Sequence, residues 1–123
     1  MLPENSAEYN VSKHIDNSLR NWMLKFVILN RISRKESYPY DIYKKLREAN
    51  LPVLNLVKKS EVYNVLNSLE SIKLVEAELK VSGKRIQKKY HITKEGAAVN
   101  LKTKLKMKKN LANIKALMDY ESV

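Results

Sequence analysis

Lys84, Arg85, Lys88 and Lys89 crowd the stretch after a Ser82-Gly83 dipeptide, and upstream Ser60, Asn64, Asn67, Ser68 and Ser71 recur at helical spacing. Clustered cations suit phosphate oxygens. The amides of Asn64 and Asn67 can bond an adenine edge through both of their polar groups, and serine hydroxyls serve bases or phosphates. Lys58 and Lys59 stand where the start of a helix would approach a phosphate backbone, and Tyr63 lies between them and the amides. This is a chemistry of polyanion recognition, with double-stranded DNA as the expected partner.

Covalent chemistry has little to draw on. His14 and His91 are the only histidines, with no HExxH spacing and no paired carboxylate motif around them. The chain has no cysteine, which excludes disulfides, thiolate metal sites and thiol redox sensing. Gly83 and Gly96 are its two glycines, too few for a phosphate-cradling loop. We therefore expect no enzyme, no metal and no cofactor. Tyr90 and Ser82 are hydroxyls that could accept phosphate, which would add negative charge near the cationic cluster.

The 123 residues carry 24 Lys and Arg against 13 Asp and Glu, a net charge of +11. Residues 1–57 contribute +3, residues 58–92 +4 and residues 93–123 +4, so the middle and final segments are proportionally the more basic. An excess of this size favours polyanions. The longest apolar run, Trp22 to Leu29, is broken by Lys25 and is far short of the roughly 18 to 20 residues a membrane span needs. The start Met1-Leu2-Pro3-Glu4-Asn5 lacks the basic and apolar regions of a secretory leader, so a cytoplasmic, nucleoid-associated location is expected.

The elements that must position these residues can be read from periodicity. Residues 1–18 are polar and form an arm or a short helix. From Leu19 to Ile32 apolar residues cover most of a helix circumference, so this helix must be buried on several sides, by the terminal helix or by a second chain. Ile42, Tyr43 and Leu46 mark a second helix, ended by Leu51-Pro52. Val62, Leu66 and Leu69 form the buried stripe of a third helix from about Ser60, which leaves the Ser and Asn set facing outward.

A two-residue turn at Ser82-Gly83 would pair Val75 with Tyr90, Ala77 with Lys88, Leu79 with Ile86, Glu76 with Lys89 and Lys80 with Arg85. His91 then falls on the solvent side. The last pair sets two cations face to face, an arrangement that suits a tip placed against phosphates, or an edge using Lys to block aggregation. Thr93 caps a final helix to about Asp119, roughly 40 Å long. One of its sides carries Ala97, Ala98, Leu101, Leu105 and Ala112; the other carries Met107, Leu111, Ile114 and Met118 at coiled-coil spacing. With Trp22 and Phe26, the residues Leu101, Leu105, Met107, Leu111, Ile114 and Met118 are the expected dimerisation surface.

The whole reads as a mainly α protein with a small β-hairpin, a winged helix-turn-helix with a long C-terminal dimerisation helix. Its expected parts are an arm at 1–18, a DNA-binding domain at 19–92 and a dimerisation helix at 93–123.

From about Phe26 to Gly96 the chain resembles the PadR-type winged-helix regulators and, more distantly, the small archaeal Lrs-like regulators. The resemblance lies in Tyr40-Asp41-Ile42, in Ser60-Glu61-Val62-Tyr63 with Leu66 and Leu69, in Leu74-Val75, and in Tyr90, Ile92, Thr93 and Gly96, which fit a Tyr-x-Leu-Thr-x-x-Gly segment. The chain departs where the family has glycine before Tyr40 and before Leu74, positions held here by Pro39 and Lys73. Either Lys73 takes a left-handed conformation or that turn is built differently. The resemblance implies a homodimeric transcription regulator whose terminal helices pair, and it leaves a small-molecule effector open. The competing reading is a winged-helix protein-interaction module in which the basic residues only confer solubility.

Overall fold

The computed structural model describes residues 6–54 and 56–121. The chain runs α1 (Ala7–Arg34), α2 (Pro39–Ala49), a single 3-10 turn (Pro52–Leu54), α3 (Lys59–Ser71), β1 (Val75–Ser82), β2 (Arg85–Ile92) and α4 (Lys94–Glu121). It is mainly helical with one antiparallel hairpin, the winged helix-turn-helix expected. The arm and the first core helix are one continuous 28-residue element, because nothing between Ala7 and Arg34 breaks a helix. Residues 1–5 lie outside the described residues.

The core gathers Leu24, Ile28, Leu29 and Ile32 of α1, Ile42 and Leu46 of α2, and Val62, Val65, Leu66 and Leu69 of α3. Leu54, Val57, Val75 and Tyr90 close it. Each helix thus spends one stripe on a common centre and leaves its other side free. Pro39 begins α2, where its fixed φ costs nothing, and Asn50 ends it in the left-handed region at φ 49°.

The end of α3 answers the question raised by Lys73, which takes φ 62°. The Leu74 N–H reaches the Leu69 carbonyl at 3.0 Å and the Lys73 N–H reaches the Glu70 carbonyl at 3.0 Å. These are the two bonds of a Schellman cap, built with lysine where glycine is usual. The Leu74 carbonyl then accepts the Thr93 N–H at 3.1 Å, and the Thr93 hydroxyl donates between the Lys73 carbonyl at 2.7 Å and the Leu74 carbonyl at 3.1 Å. The same hydroxyl accepts the Gly96 N–H at 3.0 Å, so Thr93 is the N-cap foreseen for α4. Gly96 is required for a different reason. A Cβ there would collide with the Leu74 carbonyl oxygen and sit 2.9 Å from Ile92 Cγ1.

The hairpin differs from expectation in register. Ser82 pairs with Arg85, so the two-residue loop is Gly83-Lys84, with Gly83 at φ 61°. Glycine at the first central position is the type II′ pattern, whose twist matches the flanking strands. Val75 faces Ile92, Ala77 faces Tyr90, Leu79 faces Lys88, Val81 faces Ile86 and Glu76 faces His91. The direct Lys80 to Arg85 pairing does not occur; Lys80 lies opposite Gln87 and bonds Glu78 at 3.1 Å. Because the slip is two residues, every side chain keeps its expected face. Outside the hairpin, Ser37 and Tyr90 exchange both backbone hydrogen bonds at 3.0 and 2.8 Å, tying the start of α2 to the base of the wing.

The first half of α4 rests on α1, with Asn100 buried and Thr103 and Met107 half-buried along that side. The Asn100 Nδ2 donates to Ser33 Oγ at 3.0 Å across that contact. Both apolar groups of α4 are left out of the chain's own core: Leu101, Leu105, Leu111, Ile114 and Met118 are 54–66% exposed.

Two substitutions test the junction of α3, wing and α4. Lys73→Gly removes left-handed strain and should raise the stability by up to about 1 kcal/mol after the unfolded chain's added freedom is counted, with a higher melting temperature. Gly96→Ala should lower stability by about 2 kcal/mol, since backbone must move to admit a methyl group. Thermal unfolding monitored by circular dichroism checks both; a neutral Gly96→Ala contradicts the packing described.

Candidate nucleic-acid interface

The outward side of α3 is as the periodicity predicts. Lys58, Lys59, Ser60, Tyr63, Asn64, Asn67, Ser68 and Ser71 are all exposed, whereas Val62, Val65, Leu66 and Leu69 are buried. These polar residues divide between two sides of the helix. Tyr63 and Asn67 line an open concavity of about 360 Å³ together with Tyr38, Tyr40 and the hairpin residues Ile86, Gln87 and Lys88. Asn64 and Ser68 line a second depression on the α1 side, beside Asn21 and Lys25. Tyr63 and Asn67 therefore border one surface with the wing, and Asn64 and Ser68 lie on the other side of the polar face.

The cations are placed unevenly along the wing. Lys84 and Arg85 are exposed at the turn. Lys88 is exposed on the strand face that meets α3 and lies 3.7 Å from Glu70. Lys89 points the other way: it is half-buried, 3.3 Å from Glu36 and over the Tyr38 ring at 5.7 Å, so the structure does not bring it into the concavity. Lys59 leans over the rings of Tyr40 and Tyr43 at 5.3 and 5.7 Å, a placement that orients it along α2. His91 stays on the solvent side of its strand, where its Nε2 lies 3.1 Å from Glu76 Oε2. Tyr90 is 1% exposed and cannot serve as a phosphate acceptor in the folded chain; burial also raises its phenol pKa.

What fixes α3 to the body was not visible from spacing. Arg20 of α1 grips Glu61 with two bonds, Nη2 to Oε1 at 2.8 Å and Nε to Oε2 at 3.0 Å. Glu61 Oε1 also accepts the Lys58 N–H at 3.0 Å, satisfying a donor at the start of α3. The Arg20 guanidinium beside it holds the Glu61 carboxyl below its ordinary range, with help from the Lys58 N–H and against partial burial. No local signal announces a pair separated by 41 positions. Tyr40 and Gln87, which border the concavity, were also missed; the position of Tyr40 one residue after a helix-starting proline could have flagged it as outward.

No helix among the described residues is long and apolar enough to cross a membrane. A third cleft, between α1 and α4, is lined by Leu19, Trp22, Met23, Met107, Leu111 and Ile114 among others and measures about 630 Å³. Trp22 is 44% exposed there and stacks on Phe26 with centroids 5.8 Å apart.

Comparison with known proteins settles the family. The model of the transcriptional regulator PadR-like family matches residues 28–102, well over half of the chain. The chain belongs to the PadR-like family. Members of this family are DNA-binding transcriptional regulators and not enzymes, and the chain is read accordingly. Among curated proteins, none matches the sequence.

Solved structures agree on the fold. A PadR-like transcriptional regulator from Bacillus cereus shares 28% identity, with 77% of this chain and 90% of that one covered, at a TM-score of 0.65. A PadR-like transcription factor from Bacteroides fragilis, 23% identical, covers 85% and 98% at 0.74. A PadR family regulator from Eggerthella lenta, 22% identical, covers 91% and 96% at 0.75.

The Arg20–Glu61 clamp makes a pH prediction. A carboxyl whose folded pKa is depressed stabilises the protein above its unfolded pKa of about 4.3, and that contribution is lost as pH falls through the folded value. Glu61→Gln should cost about 1 kcal/mol at pH 7, given a clamp whose side chains are 21% and 28% open to solvent, and progressively less below pH of about 4. Denaturant unfolding at both pH values checks this; a pH-independent cost contradicts it.

Proposed function

We propose that this PadR-like regulator acts as a homodimer on double-stranded DNA of the nucleoid in the cytoplasm, with α3 in the major groove and the wing on the adjoining backbone. The observation that carries the reading is the shared concavity, in which Tyr63 and Asn67 of α3 face Ile86 and Lys88 of the hairpin. A helix presenting amides to base edges needs a second element to fix its angle, and a hairpin with exposed Lys84 and Arg85 provides one. Asn64, Asn67 and Ser68 take base edges; Lys58, Ser60, Ser71, Lys84, Arg85 and Lys88 take phosphates. Lys88 would exchange Glu70 for a phosphate on binding. Lys89 supports the wing through Glu36 and Tyr38 and is left out of the contact set.

Dimerisation follows from the uncovered apolar surface. On a helical wheel Met107, Leu111, Ile114 and Met118 continue the stripe by which Asn100 and Thr103 meet α1, but the stripe outruns the chain's own core. A partner's α1 and α4 would cover it, together with Trp22, Phe26, Leu101 and Leu105. A twofold dimer reads two half-sites about one helical turn apart, so a pseudo-palindromic operator is expected.

Gel shifts over a salt series test the assignment. Lys84→Ala with Arg85→Ala should weaken binding to all sequences alike and reduce the slope of log K against log salt by about 2. Asn64→Ala or Asn67→Ala should instead narrow the gap between specific and random DNA by about 1 to 3 kcal/mol. A wing variant that binds normally at moderate salt removes the wing from the interface, and a wild-type chain that heparin does not displace and that leaves no footprint favours the protein-interaction reading. Leu111→Glu with Ile114→Glu should yield a monomer in sedimentation; a wild-type chain monomeric at every concentration contradicts the dimer.

A further inference from the structure

The outer half of the wing carries an aliphatic patch that phosphate contacts leave unexplained. Leu79, Val81 and Ile86 are 63%, 72% and 69% exposed. Val81 and Ile86 are direct cross-strand partners, and Leu79 lies opposite Lys88, so the three side chains share one face of the hairpin. That face is the one which nearer the body buries Val75 and Tyr90, and its Ile86 and Lys88 enter the concavity shared with α3. From Leu79 to Lys88 the sequence holds four cations, Lys80, Lys84, Arg85 and Lys88, and no carboxylate.

Cations alone would suffice to hold phosphates, and a projecting hairpin with three uncovered aliphatics invites aggregation unless they have an occupant. An occupant that suits both must present carbon surface flanked by anions. The minor groove does: sugar C–H groups form its walls and phosphates its rims. At about 6 Å wide it is too narrow for a two-stranded ribbon, so entry of the tip requires the groove to open. Apolar side chains that enter there part a base step and bend the duplex.

We propose that Leu79, Val81 and Ile86 form a minor-groove wedge that bends DNA beside the major groove occupied by α3. This rests on the DNA-binding reading above. The wedge selects its site by deformability, favouring easily unstacked pyrimidine–purine steps beneath the wing, a specificity that needs no hydrogen bond to a base.

The test uses the full chain and duplexes of about 30 bp that it selects from a random pool, with energy transfer between end labels reporting the bend. The comparison variant is Leu79→Thr, Val81→Thr, Ile86→Thr, which puts a strand-favouring β-branched residue at each of the three exposed positions. Ile86→Thr alone provides a milder version of the same change. The wild-type duplexes should be bent and enriched in flexible steps at the wing position. The triple variant should bind about tenfold more weakly with an unchanged salt slope, leave the duplex straighter and lose the step preference. An equal bend and equal step preference in the variants overturns the wedge while leaving the DNA-binding reading intact. So does a variant that keeps the bend but loses adhesion to phosphatidylserine vesicles or changes its oligomeric state, which would assign the patch to a membrane or to a second copy. Failure of the wild-type chain to select any duplex overturns the DNA-binding reading itself.

Discussion

One carbonyl oxygen, that of Leu74, sits where α3 ends, the wing begins and α4 departs. It accepts the Thr93 N–H and the Thr93 hydroxyl, and Gly96 packs against it so closely that no side chain fits. Leu74 reaches that place because Lys73 turns left-handed and closes the Schellman cap on α3. The direction of the polar helix, the direction of the hairpin and the direction of the long terminal helix are therefore set by a few residues around one point. Anything that loosens this point separates the two surfaces proposed to grip DNA, and also turns α4 away from the position in which a partner would meet it.

Two further ties hold the reading elements against the body. The Ser37–Tyr90 exchange anchors the base of the wing to the start of α2, with the Tyr90 ring buried beneath it. The Arg20–Glu61 clamp anchors the start of α3 to α1. Since α1 is also the helix on which α4 rests, the surface proposed for dimerisation and the surface proposed for DNA share one helix.

What could be read in the sequence follows from what local periodicity encodes. The faces of α3 and of both strands were legible because burial repeats at 3.6 and 2 residues, and Thr93 and Gly96 were legible because caps and tight packing have restricted chemistries. The hairpin register was not, because Ser82-Gly83 and Gly83-Lys84 both offer glycine to a two-residue turn. The faces survived the error, since a slip of two preserves the pleat, but the expected Lys80 to Arg85 repulsion did not. The partners of Lys88, Lys89 and Glu61 were equally invisible, because each ion pair joins elements brought near only by the fold, and the His91–Glu76 contact was hidden by the register slip itself. At the other end, helix propensity carried α1 without a break through the polar stretch expected to be an arm or a separate short helix.

The central claim is that the polar face of α3 and the tip of the wing address one stretch of one duplex. The chain contains no cysteine, so a single engineered thiol can carry an iron chelate that cleaves DNA locally, once from Asn67→Cys and once from Lys84→Cys. On a selected duplex the account predicts cleavage from both positions, in each half-site, with centres within about half a helical turn, roughly 5 bp. Cleavage from only one of the two positions, or centres separated by more than a full turn, would contradict it.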